Sequence, residues 1–493
     1  MFAEHLPILQ IVVPLISAPI CVLLRRQWSW GFALIVNWIC FGMSAMLLLR
    51  VLEVGTIVYH LGSWEPPWGI EYRVDAVNAF VIFLVALIAS VVLLYAPHSI
   101  SAELPGHRAN LFYTAYLLCL TGLMGMAITG DAFNLFVFLE ISSLSSYALI
   151  GLGRDRRALT ASYNYLIMGT VGATFYVIGV GLLYSMTGTL NMVDLAVRLQ
   201  PVLMTSTVLA AFAFLTVGIS LKIALFPLHL WLPNAYTYAP SVVTAFLAAT
   251  ATKVAIYTFL RFFYGIFGAE FAFDVLHLDR FLVPLGLAGA VIASLVAVYQ
   301  KNIKRMLAYS SVAQVGYMMV GVGLVSVTGL TATLVHLFNH AVMKGALFLA
   351  LGCIVLRVGA CELEDMRGIA KRMPVTMAAF VAGGLSLIGV PLTVGFVSKW
   401  YLVQGAIERG WWPVAVIVLL ASLIGLAYIW RVVEVAYFHE PVGKTALATE
   451  APLSMLIPTW MLIGATFYFG MSSTFTVGIA RRGAEALMAG LLP

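Results

Sequence analysis

Apolar stretches of about twenty residues follow one another along nearly the whole chain, separated by short polar turns. Wound as a helix, a stretch of that length crosses the hydrocarbon core of a bilayer. Inside that core every backbone polar group must find its partner within the protein, so helices are the economical way across. The chain is thereby held to one fold class, an all-α integral membrane bundle. Composition agrees: of 493 residues, 62% are hydrophobic and 10% are charged, where a soluble domain has about 25% charged.

About fourteen spans can be laid out, at 6–24, 31–49, 76–95, 110–129, 132–152, 163–186, 204–237, 240–263, 281–299, 306–326, 330–356, 374–403, 412–437 and 452–478. No long polar linker separates them, so 1–493 reads as one membrane domain. Basic clusters fall on the odd-numbered loops, with Arg154, Arg156 and Arg157 in one and Lys301, Lys304 and Arg305 in another. The positive-inside rule places those loops in the cytoplasm and both termini on the outer face. The net charge of +6 fits such loops better than nucleic-acid binding. The N-terminal stretch carries Glu4 and no early basic residue, and is read as a retained first span. Cys21, Cys40, Cys119, Cys353 and Cys361 form no CxxC pair and read as small buried hydrophobes.

Two spans look interrupted. The seventh runs through LKIALFPLHLWLP with Pro227 near its middle, and the twelfth through SLIGVPLTVGFVSKW with Gly389, Pro391 and Gly395. Proline removes a helix hydrogen bond and clashes with the preceding turn. One such break is a common kink. Two breaks about five spans apart, each with a lysine nearby, point to an inverted-repeat transporter with its sites at mid-membrane. The first three spans occupy 1–109, the repeats 110–263 and 281–437, and the last span with the C-terminus 452–493.

Charges inside spans cost roughly 3 kcal/mol or more at a helix centre. Glu140, Lys222, Lys253 and Lys399 all sit in such places. Burial penalises the charged form of each, and a nearby opposite charge restores it. Glu140 approaching Lys222 would hold a proton on the amine, and its withdrawal would release it. A fixed salt bridge between helices is the competing structural reading. Lys253 is the next proton carrier along the row. His229, just past Pro227, is an accessory group that bridges the two lysines or is a hydrogen-bonded structural histidine. His336, His340 and Lys344 recur at i, i+4 and i+8, about 6 Å apart up one helix face, a spacing that one or two waters would bridge. The same His-x-x-x-His spacing suits a metal, but no carboxylate or cysteine lies near in sequence, so no metal site is assigned. Lys399 ends the row beside Ser398, and Lys304 is either an edge anchor or a relay member. Gly443–Thr445 is not a phosphate loop, because Phe438 stands where the first glycine is required. With no GxGxxG, GxSxG or HExxH either, no cofactor is assigned.

The segments GDAFNLFVFLEISSLSSYALIGL, LKIALFPLHLWLPNAY, NIKRMLAYSSVAQVGYM, HLFNHAVMKGALFLALG and GVPLTVGFVSKW resemble the antiporter-like subunits of the complex I superfamily. That superfamily includes the D subunit of Mrp cation/proton antiporters, subunits of membrane-bound hydrogenases and the large proton-pumping subunits of complex I. WEPPWGIEYRVDAVNAF and GTLNMVDLA are most similar to Mrp D subunits and their hydrogenase relatives. The resemblance implies fourteen transmembrane helices, two inverted five-helix repeats, and broken seventh and twelfth helices. It implies proton transfer by Glu140, Lys222, Lys253 and Lys399, with His336 and His340 linking the halves. Asn302 and Asn234 stand where relatives often have Asp, which weakens any tie between Lys304 and an edge carboxylate. The long lateral helix of one complex I member is not expected here. The expected function is a Mrp D-type transporter subunit, not an enzyme in itself, in a multi-subunit Na⁺/H⁺ antiporter of a bacterial or archaeal cytoplasmic (inner) membrane. Its partners would be other membrane subunits, including a larger homologue, with the lipid bilayer, protons and Na⁺, and no nucleic acid. The alternative is a proton-pumping subunit of a redox-driven complex.

Overall fold

The computed structural model describes residues 4–104 and 108–490; the ends of the N- and C-terminal segments, 1–3 and 491–493, lie outside the described residues. The chain begins with α1 (Leu6–Leu23) and α2 (Arg26–Val54), then a hairpin of β1 (Ile57–His60) and β2 (Glu71–Val74). α3 (Ala76–Glu103) follows, then α4 (Ala109–Ile128), α5 (Ala132–Gly151), α6 (Arg156–Thr187) and the short α7 (Met192–Leu199). Next come α8 (Ser206–Ile223), α9 (Trp231–Tyr238), α10 (Ser241–Leu260), α11 (Asp279–Val298), α12 (Ile303–Gly323) and α13 (Val327–Val358). The rest is α14 (Pro374–Ile388), α15 (Val394–Glu408), α16 (Trp412–Phe438), α17 (Lys444–Leu447), α18 (Leu453–Met471) and α19 (Thr474–Met488).

Twelve of these helices are long and apolar enough to cross a membrane. α12 has the length, but Lys304, Arg305 and Gln314 dilute its apolar character. α14 and α15, at 15 residues each, cross only as a pair. Twelve plus α12 plus the α14–α15 pair gives the fourteen crossings expected. Two boundaries differ from the sequence reading. The span placed at 204–237 is two helices, because α8 stops at Ile223, before Pro227. The span placed at 452–478 stops at Met471, and α19 is a separate helix against α3 and α13.

The inverted repeat is visible in the backbone. Ala132 N–H donates to the Leu190 carbonyl (2.9 Å) and Met192 N–H to Gly130 (2.8 Å). In the second half Ile303 N–H donates to Cys361 (2.9 Å) and Leu363 N–H to Lys301 (2.8 Å). Each pair flanks an antiparallel bridge, Asp131 with Asn191 and Asn302 with Glu362. In both halves the N-cap of the second helix is thus tied to the segment after the third. The two ties are an odd number of crossings apart, so they lie on opposite membrane faces.

α3, α10, α12 and α13 are buried along nearly their whole lengths, while α2, α6 and α16 present Leu, Ile and Trp outward. α3 is fixed at both ends by charge. Its N-cap Asp75 accepts from Val77 and Asn78 N–H (2.7 and 3.1 Å) and pairs with the buried Arg261. Arg261 also donates to Tyr257 (2.8 Å). Asp75→Ala leaves Arg261 buried without its carboxylate, which costs about 3–5 kcal/mol; the unfolding temperature of the detergent-purified protein should fall accordingly.

Candidate functional site

Lys222 lies in the last turn of α8, where Ala224 turns the chain left-handed and ends the helix. Its ammonium donates to Ser143 Oγ of α5 at 2.8 Å. Among the described residues no ion pair within 4 Å joins Glu140 and Lys222, so the fixed salt bridge between helices is absent. The carboxylate acts on Lys222 only through space, and one of its oxygens is buried with no protein partner. Ser143, one turn beyond Glu140, is the hydrogen-bond partner of the lysine. A cavity of about 30 Å³ beside it is lined by Ser142, Ser143, Ser146, Tyr165 and Lys222. That volume and polarity suit a water molecule. Gly169 of α6 leaves room for the Tyr147 hydroxyl, which an added Cβ would approach to 1.9 Å, with Lys222 Nζ at 3.4 Å. The break itself is pinned by Trp231, whose indole N–H donates to the Leu221 carbonyl (3.0 Å) while its ring stacks on Tyr165 at 4.0 Å.

Among the described residues no direct hydrogen bond joins His229 to Lys222 or Lys253. His229 stacks on Phe226 (5.3 Å) and meets Tyr309 edge-on (6.3 Å), and its Nδ1 is buried without a partner. Lys253 is completely buried in α10, donating to the Ala248 carbonyl at 2.5 Å and lying 3.3 Å from Thr252 Oγ1. It is within electrostatic reach of His336, His340 and Lys344 on α13. Those three share one helix face: the two imidazoles are parallel with centroids 6.0 Å apart. Lys344 donates to Leu307 (2.7 Å) and to Ser310 Oγ of α12. Both nitrogens of His340 and the Nε2 of His336 are buried without a protein partner. Buried polar atoms in native proteins are almost always satisfied, by water where protein groups are absent.

His336 Nδ1 contacts Ser398 Oγ at 2.7 Å, and Ser398 adjoins Lys399. The Lys399 ammonium sits at the C-terminus of α14, where it donates to the Leu387 and Ile388 carbonyls (2.9 and 2.8 Å) and to Ser422 Oγ (2.5 Å). The chain breaks there because Gly389 adopts φ 95°. A helix C-terminus has unpaired carbonyls and the negative end of the dipole, so the break is a ready cradle for a cation.

Lys304 corrects the expectation drawn from Asn302. It has a carboxylate, supplied from α3: Glu103 Oε2 lies 3.7 Å away, and the Ala239 carbonyl accepts from the amine at 3.1 Å. Ser143 is one of four serines that follow Glu140 in the sequence. Glu103, Ser310 and Ser422 were not singled out there, because they come from distant elements. Among the described residues no His, Cys, Asp and Glu group could hold a metal.

Residues 129–425 match the family model described as NADH:quinone oxidoreductase/Mrp antiporter, transmembrane. The chain is 43% identical over 474 residues to the N subunit of the NADH-quinone oxidoreductase of Desulforudis audaxviator, covering 93% of this chain and 94% of that one. It is 31% identical over 478 residues to the D subunit of the Na(+)/H(+) antiporter of Alkalihalophilus pseudofirmus, covering 95% and 94%. A subunit of the archaeal membrane-bound sulfane sulfur reductase, a respiratory membrane complex, superposes with a TM-score of 0.90 at 30% identity, covering 98% of each chain. An antiporter-like membrane subunit with this fold and these matches belongs to the NADH:quinone oxidoreductase/Mrp antiporter family.

Proposed function

We propose that this chain carries protons across the membrane as the D-type subunit of a multi-subunit Na⁺/H⁺ antiporter. The observation that supports it is the half-buried Lys222 with the buried Lys253, Lys344, His340, His336 and Lys399, hydroxyls of Ser143, Ser310 and Ser398 against Lys222, Lys344 and His336, and open hydrogen-bonding positions on both histidines. Such a row passes protons through side chains and intervening water. It repels Na⁺, so the cation crosses elsewhere, at an interface between subunits. Glu140 is half-buried on a face of α5 where Phe133, Val137 and Leu144 point outward. Lipid does not accept a carboxylate there, so a partner membrane subunit, the larger homologue, covers that face. The basic loops put the Arg154–Arg157 side in the cytoplasm of a bacterial or archaeal cell, with both termini outside.

A second reading has the same proton row in a redox-driven complex. The 43% identity to a subunit named for NADH-quinone oxidoreductase favours it. Purification with native partners separates the two: iron–sulfur or nickel subunits alongside would sink the antiporter reading. The proton path is tested in vesicles holding the whole complex. Glu140→Gln and Lys222→Ala, made singly, should each lower proton transport about tenfold or more with assembly intact. Wild-type transport in both variants would place the path elsewhere.

A further inference from the structure

At the membrane face carrying Arg154 and Arg157, a vestibule of about 330 Å³ opens between the two repeats, and Glu103 and Lys304 lie in its wall. At the opposite end of the same helix, α3, the cavity beside Asp75 and Arg261 is only about 10 Å³. α3 therefore ends in a carboxylate at each membrane face, one in an open vestibule and one in a closed contact. The Glu103 side chain keeps 18% of its surface exposed while Asp75 keeps 4%.

Glu103 is held ready. Ser99 Oγ donates to it at 2.7 Å, and the N–H and hydroxyl of Ser241, at the start of α10, donate at 2.8 and 3.0 Å. Lys304, at 3.7 Å, is beyond hydrogen-bond length, so the pair is loose. Three residues further along α12, the Leu307 carbonyl accepts from Lys344, the first member of the α13 row. The other charged groups of the vestibule are committed elsewhere. Arg157 pairs with Asp155 and holds that carboxyl below its usual range. Arg154 donates to the Leu104 carbonyl, and Glu362 accepts from Asn302.

We propose that Glu103 is the carboxylate at which protons are loaded from this vestibule, with Lys304 as its counter-charge. This rests on the proton-carrying reading of the row. A proton from vestibule water adds to the Glu103 carboxylate, which then no longer balances Lys304. The uncompensated ammonium, one turn from the Lys344 carbonyl partner, drives the Lys344 proton along the row.

The test uses the purified complex in proteoliposomes. Glu103→Gln can keep its oxygen for the Ser241 donors and turn its amide N–H to the Ser99 hydroxyl, which then accepts, but it cannot ionise, so a merely structural role would survive it. Proton transport should fall about tenfold or more in Glu103→Gln, recover to within about threefold in Glu103→Asp, and stay within about twofold in Glu362→Gln. A water-soluble carbodiimide with glycine ethyl ester should modify Glu103 from the vestibule side and not Asp75, as read by peptide mass spectrometry. Wild-type transport in Glu103→Gln, or no modification of Glu103, overturns the proposal. If Glu140→Gln and Lys222→Ala lose transport while Glu103→Gln does not, only the loading site is wrong. If all three transport normally, the proton-carrying reading fails with it.

Discussion

Lys253→Met should reduce proton transport by the complex about 100-fold, the largest loss among single substitutions in the row. Lys253 is the one basic residue of α10, the helix packed against the histidine-bearing α13, and it is completely buried. Its partners are a carbonyl of its own helix and a neighbouring threonine, with no carboxylate among them. Nothing described at that position replaces a lost amine: Thr252 and Thr250 carry hydroxyls, and Thr250 donates to the Phe246 carbonyl at 2.7 Å. Methionine keeps the volume and removes the charge. Taking a desolvated amine out of the interior does not weaken the fold and tends to strengthen it. The complex should therefore assemble normally and unfold at the same or a higher temperature while its transport is lost. Transport near the wild-type rate in a well-assembled Lys253→Met complex would remove this residue from the route.

Much of the fold was legible because hydrocarbon imposes length and apolarity on each crossing helix. The two breaks were legible because Pro227, Gly389 and Pro391 have no other cheap place in a span. What the sequence left open were contacts between elements far apart in it. Whether Lys222 and Glu140 stand paired or apart is not written in their spacing; here Ser143 offers the ammonium an oxygen at 2.8 Å. Asn302 suggested that Lys304 lacked a carboxylate, and Glu103, about 200 residues earlier, supplies one through the packing of α3 against α10 and α13. α19 was merged with the last span because Ser472 and Ser473 are weak punctuation between apolar runs, and neither is Gly or Pro. The row on α13 was the easiest to read, since a single helix fixes it: an expected rise of about 6 Å over four residues matches centroids 6.0 Å apart.

Gly395→Ala should cost as much function as losing a proton-carrying group, although it removes no polar atom. Helix propensity alone favours the change by about 1 kcal/mol. The packing reverses that. A Cβ at Gly395 would stand 1.8 Å from the Ser386 carbonyl oxygen and 2.9 Å from its carbon. These are backbone atoms of α14, which cannot rotate aside as a long side chain can, so α15 must move as a unit. Overpacking of this kind costs about 1–3 kcal/mol. Lys399 and Ser398 ride on α15. The shift would draw Lys399 off the Leu387 and Ile388 carbonyls, part Ser398 from His336, and strain the 2.7 Å bond from Asn339 to the Val394 carbonyl. Proton transport should fall about tenfold or more, with a lowered unfolding temperature. Gly181→Ala is the matched control, since that glycine lies within α6 and an added Cβ there has nothing within 4 Å. It should transport and unfold like the wild type. If Gly395→Ala does the same, the contact between the two halves of the broken helix is not what holds the Lys399 end of the row in place.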